Sequence, residues 1–284
     1  MDKLKLLQKN IQKLENAVVA FSGSIDSILL LTIAKQTLGN NVIAITLTSE
    51  LMPKEELKKA KKLTKSLNVK HLFIPSENLK DKNITANTPL RCYHCRKLHF
   101  SLLKKLAKEK GFHYVIEGSN LDDLNNYSPG NQAAKELGII SPLQEVKLNN
   151  YEICQYGRSL SLPGWNNPVK PCLATRIPYG TPITKKILVQ IEKAEKYLTE
   201  LLKELQKQYP DQIKENIKIR ISHHGDLARL EIAPEAFSLI TSPNIAKTIH
   251  NKLRKINYNY VTLDFWGNRQ KNMNELLNFR KIHL

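Results

Sequence analysis

The chain reads as an α/β protein, a mostly parallel sheet with helices on both faces, followed by a smaller C-terminal α+β domain. Three observations predict this. Strand-like runs at 17–21, 42–48, 71–74 and 113–117 alternate with helical patterns at 27–38, 54–67 and roughly 96–110. Such alternation builds parallel strands covered by helices. From Gly118 to Ile183 the chain turns loop-rich, with Pro129, Pro142, Pro163, Pro168, Pro171, Pro178 and Pro182. Beyond it come a long Lys/Glu-patterned helix, strand-like runs at 217–222 and 227–233, a helical stretch and a last strand at 258–264. At 284 residues there is room for two cores, placed at 1–183 and 184–284.

The elements follow in order. MDKLKLLQKNIQKLEN has the Leu/Ile spacing of a short amphipathic helix and no signal-peptide core, so a cytoplasmic protein is expected. Ala17–Phe21 is small and apolar, as in a buried strand. It breaks into Ser22-Gly23-Ser24-Ile25-Asp26-Ser27, after which the apolar helical run Ile28–Leu31 begins. A strand that feeds a tight polar loop into a helix aims backbone N–H groups and the positive helix end at an anion. Ser22, Ser24 and Ser27 add hydroxyls, and Gly23 lets the backbone approach closely. This is a pyrophosphate cradle, with neither the lysine of a P-loop nor a GxGxxG. The plain alternative is a turn whose serines cap the helix.

Glu117-Gly118-Ser119-Asn120-Leu121-Asp122-Asp123 follows the fourth strand directly, at the same sheet edge as the first loop. Carboxylates there, or Asp26, can hold Mg²⁺ against ATP phosphates; capping by Asn120 or Asp122 is the alternative. The later strands carry Arg220 and Arg229, with Glu231 nearby, either for an anionic substrate or as a solvated cross-strand face. His223 and His224 fall at an expected hairpin tip, where histidines are usually exposed. Trp165 suits a pocket wall or the core.

The net charge of +18 points to nucleic acid, an anionic substrate or acidic partners. Lysines run along the whole chain, however, and solvated faces account for them equally well. No apolar run nears the ~20 residues of a membrane span. Four cysteines without an export signal argue against structural disulfides. Cys92 and Cys95 form a CxxC flanked by Arg91 and Arg96, which favours thiolates. Cys172 lies in Pro171-Cys172-Leu173, and Cys154 in a helical pattern suits a packed small hydrophobe. A cluster, a zinc ion held with His94 or His99, or a redox disulfide would all use the CxxC.

SGSIDS (22–27), RCYHC (91–95), EGSN (117–120), YSPG (127–130), SPL (141–143) and KPCLATRIPYG (170–180) together resemble the LarE family of ATP-dependent sulfur transferases. That family belongs to the PP-loop ATP pyrophosphatases, and the resemblance covers almost the whole chain. The first loop marks the superfamily; PCLATR with SPL and EGSN in order marks the family. The resemblance implies an adenine nucleotide alpha hydrolase-like fold that uses ATP and Mg²⁺. It implies adenylation of a substrate carboxylate, release of pyrophosphate, and sulfur transfer to give a thiocarboxylate, as in nickel-pincer cofactor biosynthesis. Ser22, Gly23, Ser24, Asp26, Ser27, Gly118 and Asn120 would bind the nucleotide, and Arg220 and Arg229 the anionic substrate. Cys172, Asp26 and Arg176 would be catalytic.

One subgroup of the family gives up the sulfur of a single cysteine at the position of Cys172. Another holds a [4Fe–4S] cluster on three, and Cys92, Cys95 and Cys172 match that kind; three thiolates leave one iron without a protein ligand. Family members form symmetric homo-oligomers. The chain departs from the family at Ser24 for Gly, Ser128 for Arg, Asn167 for a basic residue and Cys154 for Arg, which loosens the identity of the substrate. Three other readings stay open. They are a tRNA-thiolating PP-loop enzyme, a PP-loop amide ligase, and a nucleotide- or metal-binding regulator with an inactive loop.

Overall fold

The computed structural model describes residues 2–124, 129–166, 170–211, 217 and 219–267. Tyr127, Ser128, Asn167 and Pro168 therefore lie outside the described residues. The chain forms two compact units, Met1–Pro171 and Cys172–Leu284. Residues 172–183, assigned above to the first domain, group with the second unit, where Arg176 is held by partners described below.

The first unit contains α1 (Lys3–Gln12), β1 (Ala17–Ala20), α2 (Ile25–Leu38), β2 (Val42–Thr48), α3 (Lys54–Ser66) and β3 (His71–Pro75). It continues through α4 (Lys82–Thr85), α5 (Arg91–Glu109), β4 (Tyr114–Ile116), α6 (Pro129–Glu136), α7 (Pro142–Glu145) and α8 (Asn150–Ser159). The four strands form a parallel sheet in the order β3-β2-β1-β4. β1 is central, and Ala17, Val18 and Val19 are fully buried, which suits a short run without polar side chains. Ile28 through Leu31 of α2 are at most 1 % exposed. A helix apolar on all sides must be covered on all sides, and each of these residues contributes roughly 2 kcal/mol by burial.

The loop-rich stretch expected after Gly118 also holds three helices, α6, α7 and α8, and Ile140 adds a parallel bridge to Ile116 beyond β4. Pro129 and Pro142 open helices rather than break them, because the first helical position needs no backbone N–H bond. The helix expected at 96–110 starts at Arg91, so the CxxC lies inside it. Contacts from Asn78 and Asn87, distant in sequence or outside the helix, favour that start over weak local propensity.

The second unit contains α9 (Lys185–Gln208), β5 (Ile219–His224), β6 (Leu227–Ile232), α10 (Phe237–Ile240), α11 (Pro243–Arg254) and β7 (Tyr260–Leu263). β5 and β6 pair antiparallel, and β6 and β7 parallel. Leu198 and Leu202 of α9, Ile221 and Leu230 of the sheet, and Leu253 and Tyr258 share one core.

Candidate active site

Adjacent strands explain why two distant motifs meet. β1 and β4 are neighbours in a parallel sheet, so the loops leaving their C-terminal ends lie side by side, where open α/β sheets bind ligands. The β1 loop is held at its base. Phe21 N–H donates to the Ile45 carbonyl at 2.9 Å, and Thr46 Oγ1 donates to the Phe21 carbonyl at 2.6 Å.

Gly23 has φ +81°, a conformation costly for any side chain. Ser24, the departure from the family's second glycine, has φ −71° and caps α2 by accepting from Ser27 N–H at 3.4 Å. It is accommodated without strain. Ser27 is 2 % exposed. Its hydroxyl accepts from Gly23 N–H at 3.1 Å and donates to the Ser24 carbonyl at 3.0 Å. Ser22 and Ser24 hydroxyls lie 2.9 Å apart. Three hydroxyls and the first turn of a 14-residue helix thus surround one loop.

Gly118 suits a close approach: a Cβ there would stand 3.1 Å from Ser27 N and 3.3 Å from the Asp26 carbonyl carbon, a tight fit against backbone. The β4 loop presses directly on the phosphate loop. Asn120 Nδ2 donates to Asp26 Oδ1 at 2.7 Å and to Asn150 Oδ1 at 2.8 Å. Burial pushes the Asp26 carboxyl up, against the opposing pull of the Asn120 amide. A carboxylate held at a cost beside a phosphate loop is the kind of group a divalent cation would stabilise.

The neighbouring acids are occupied differently. Glu117, 5 % exposed, accepts from Ser119 N–H at 3.0 Å and Ser119 Oγ at 2.8 Å, and from the Ser141 hydroxyl of SPL. Asp123 accepts from Asn120 N–H at 3.1 Å in a capping box, and Asp122 from Asn150 N–H at 2.8 Å. The capping alternative thus holds for this turn, and Asp26 is the acid the geometry leaves on the phosphate loop.

Cys92 and Cys95 stand in the first two turns of α5, one turn apart, with Cys92 exposed and Cys95 half-buried. The fully buried Asn78 donates to Cys95 Sγ at 3.2 Å, and Arg91 Nη2 lies 3.9 Å from Cys92 Sγ. Arg96 points elsewhere, donating to Ser119 Oγ at 3.3 Å and Asn131 Oδ1 at 3.1 Å, and so ties α5 to the EGSN loop. Cys154 is exposed rather than packed. Trp165 is 37 % exposed beneath the Arg158 guanidinium.

In the second unit, Cys172 is exposed and precedes a 3₁₀ turn, Leu173–Arg176. Its carbonyl accepts from Thr175 N–H at 3.0 Å, Thr175 Oγ1 at 2.8 Å and Arg176 Nη1 at 3.2 Å. Three donors on one carbonyl fix the backbone that carries the thiol. Arg176 is 3 % exposed and forks onto Glu195 at 2.8 and 3.1 Å. Arg220 donates to the Thr175 carbonyl and pairs with Glu231 at 3.6 Å. Arg229 pairs with Glu231 at 3.2 Å and Asp264 at 3.5 Å. Burial, and then the Arg176 charge, lower the Arg220 pKa.

Arg220 and Arg229 therefore do not form a solvated face; they belong to a network with Arg176 in which three carboxylates face three guanidiniums. His223 corrects another expectation. It is 3 % exposed in β5 and bonded to the Tyr258 hydroxyl at 3.1 Å, because the hairpin turn falls at Gly225-Asp226. Sequence reasoning passed over Asn78 and Glu195 and named His99 only as an alternative zinc ligand; the contacts they make arise from long-range packing.

Among the described residues no three His, Cys, Asp or Glu side chains gather into a metal-holding group. Cys92 and Cys95 belong to the first unit and Cys172 to the second. The donor chemistry suits an iron–sulfur cluster all the same: soft sulfur ligands, two of them on one helix end with N–H groups directed at them.

Comparison with known proteins identifies the family. Residues 1–127 match the PP-loop domain family. The pyridinium-3,5-bisthiocarboxylic acid mononucleotide synthase of Lactiplantibacillus plantarum is 34% identical over 94% of this chain and 92% of its own. An uncharacterized protein of Synechocystis sp. is 34% identical over 97% of this chain and 98% of its own. One of Methanocaldococcus jannaschii is 28% identical over 84% and 88%. Identity of this extent, on a parallel sheet whose first loop is SGSIDS, shows that the chain belongs to the LarE family of PP-loop proteins.

Proposed function

We propose that this protein is an ATP-dependent sulfur transferase that converts a carboxylate of a small nucleotide-like substrate into a thiocarboxylate. The observation that carries the reading is whole-length similarity to a synthase named for a bisthiocarboxylic acid mononucleotide. The phosphate loop and the exposed, braced Cys172 support it. ATP would lie with its phosphates on Ser22–Ser27, and Asp26 would hold Mg²⁺ against them. The substrate carboxylate attacks the α-phosphorus, pyrophosphate leaves, and N–H groups at the start of α2 stabilise the developing charge. Either a hydrosulfide attacks the acyl carbon and AMP departs, giving the thiocarboxylate directly, or the Cys172 thiolate does so and the acyl thioester then loses its Cβ–Sγ bond by elimination, leaving dehydroalanine at 172. Thiolate outcompetes water as nucleophile at neutral pH where water is excluded.

Cys172 is the residue at the sulfur-transfer step. Arg176 acts through it, as a positioning residue that holds the Cys172 carbonyl while Glu195 holds Arg176. Cys92, Cys95 and Cys172 are the proposed ligands of a [4Fe–4S] cluster, which when bound would offer an iron without a protein ligand to carry an extra sulfide. Arg220 and Arg229 are proposed to meet the anionic substrate by exchanging part of their carboxylate pairing for it. Nucleotide handling is proposed for the unit Met1–Pro171, and substrate binding and assembly into a homo-oligomer for the unit Cys172–Leu284. No helix among the described residues is long and apolar enough to cross a membrane, and a cytoplasmic enzyme is proposed.

Anaerobic reconstitution tests the cofactor: about four irons per chain are expected from a cubane, and a colourless zinc protein would contradict it. A second reading, tRNA thiolation, draws on an open groove of about 780 Å³ in the second unit lined by Lys185, Lys186, Lys193, Lys196, Lys252 and Lys255. A salt titration with bulk tRNA decides it, since absence of binding near physiological salt removes that reading.

A further inference from the structure

We propose that His71 is a positioning residue for the phosphate loop. Through Thr46 it fixes the point where β1 enters that loop, and through Thr64 it ties the same point to α3. The inference deepens the proposed nucleotide handling and rests on the reading of Ser22–Ser27 as the phosphate site. His71 opens β3, where it pairs with Ala44 of β2. Its Nε2 lies 2.8 Å from Thr46 Oγ1, and its Nδ1 lies 2.7 Å from Thr64 Oγ1. Both threonines are 2 % exposed.

Hydrogen-bond chemistry fixes the tautomer. The Thr46 hydroxyl has one proton, which it gives to the Phe21 carbonyl at 2.6 Å. Towards the ring its oxygen can only accept, so His71 carries its proton on Nε2. Burial lowers the His71 pKa to about 4, which leaves the ring neutral near pH 7 and Nδ1 accepting from the Thr64 hydroxyl. One directed chain results: Thr64 O–H to Nδ1, Nε2–H to Thr46, and Thr46 O–H to the Phe21 carbonyl. The Phe21 ring, edge-on at 5.5 Å, and the Phe73 ring, tilted at 4.0 Å, flank the imidazole.

The chain reaches the loop from two sides. Phe21 is the residue immediately before Ser22. Thr64 stands one turn along α3 from the fully buried Ala60, and Ala60 is the residue that Gly23 faces. A Cβ built on Gly23 would meet Ala60 Cβ at 3.6 Å, and Gly23 is the loop residue held at φ +81°. His71 thus sets β1 and α3, the two surfaces beside Gly23, against each other. Packing alone would not call for a donor on one ring nitrogen and an acceptor on the other.

The test titrates full-length protein, held well below its unfolding temperature, with MgATP and with AMP, which lacks the pyrophosphate. The isosteric Thr46→Val and the bulky His71→Phe should each weaken MgATP about fivefold, as loss of one buried hydrogen bond implies. AMP should change by less than about twofold, since no phosphate beyond the first is involved. The double variant should bind no more weakly than either single one, because both break one chain. His71→Gln brings an amide N–H to the position of Nε2 and should keep the wild-type affinity. His71→Asn is too short to reach Thr46 and should not. Backbone hydrogen exchange is read on the same proteins without nucleotide, comparing a peptide over 21–28 with one over 219–232.

A ring that merely fills space gives the opposite pattern, with His71→Phe like the wild type and His71→Gln impaired. That pattern, unchanged MgATP affinity in folded Thr46→Val, or equal weakening of MgATP and AMP overturns the proposal. Exchange separates it from the reading on which it rests. If the wild-type protein fails to bind MgATP, the phosphate-site reading falls. The positioning role then survives if 21–28 alone exchanges faster in Thr46→Val and at the wild-type rate in His71→Gln, and falls if exchange is unchanged. A wild-type protein that binds MgATP, with neither affinity nor exchange altered in Thr46→Val, keeps the phosphate site and loses the role of His71.

Discussion

The phosphate loop and the Cys172 turn present reactive groups by different physics. The first relies on backbone. Gly23 at φ +81°, the Gly118 approach and the Ser24 cap set N–H groups and hydroxyls in place with no ion pair among Ser22, Gly23, Ser24 and Ser27. The second relies on charge, for the Cys172 carbonyl hangs on Arg176, which hangs on Glu195. The loop proposed to receive a polyanion carries its donors on a sheet edge, while the turn proposed to present a thiol has its backbone fixed behind Cys172 and leaves the sulfur exposed. Substitutions should therefore act mainly on chemistry in the first case and on stability in the second.

The largest stability effect is expected in the second unit. Arg176→Met or Glu195→Gln leaves one charge of a buried pair uncompensated and should cost about 3–5 kcal/mol in denaturant unfolding. Replacing both by apolar residues should recover most of that, and a double-mutant cycle with no coupling would break the contrast. In the first unit, Asp26→Asn should lower pyrophosphate release at least ~100-fold while raising stability at neutral pH. The sign follows from the raised Asp26 pKa. The carboxyl's favourable contribution is full below its ordinary value of 3.8 and is lost as pH rises through the folded value. The gain should accordingly be seen above that range and vanish in acid.

Gly118→Ala should weaken ATP binding about tenfold with little change in melting, because the added Cβ pushes on the backbone of Ser27. Nucleotide titration and thermal unfolding on the same sample would show it. The smallest effect is at Ser24. Ser24→Ala should cost about 1 kcal/mol as a lost helix cap, and Ser24→Gly only a few tenths.

Much of the first unit was legible in sequence because its signals are local. An apolar run ends in a polar loop at Ser22, and β1 and β4 each deliver a motif to one sheet edge. Proline marked 118–183 as loop-rich but gave no sign of the helices within it, since Pro129 and Pro142 start helices where a proline costs nothing. The second unit was harder to read. Arg220 and Arg229 read either as an anion site or as a solvated face, with Glu231 nearby, because the Arg220–Glu231 and Arg229–Asp264 pairs form only through strand register. Glu195 reads as one more glutamate on a charged helix until the fold buries it against Arg176. Asn78 carries no motif at all.

The most direct test follows both partial reactions in one pair of variants, measuring pyrophosphate release and the mass of the carboxylate product with ATP, Mg²⁺ and a sulfur-loaded protein. Asp26→Ala should lose pyrophosphate and product together. Cys172→Ala should still release pyrophosphate but form no thiocarboxylate. Thiocarboxylate made at the wild-type rate by Cys172→Ala, or pyrophosphate release unaltered in Asp26→Ala, would contradict the assignment of activation to the sheet-edge loop and of sulfur transfer to Cys172.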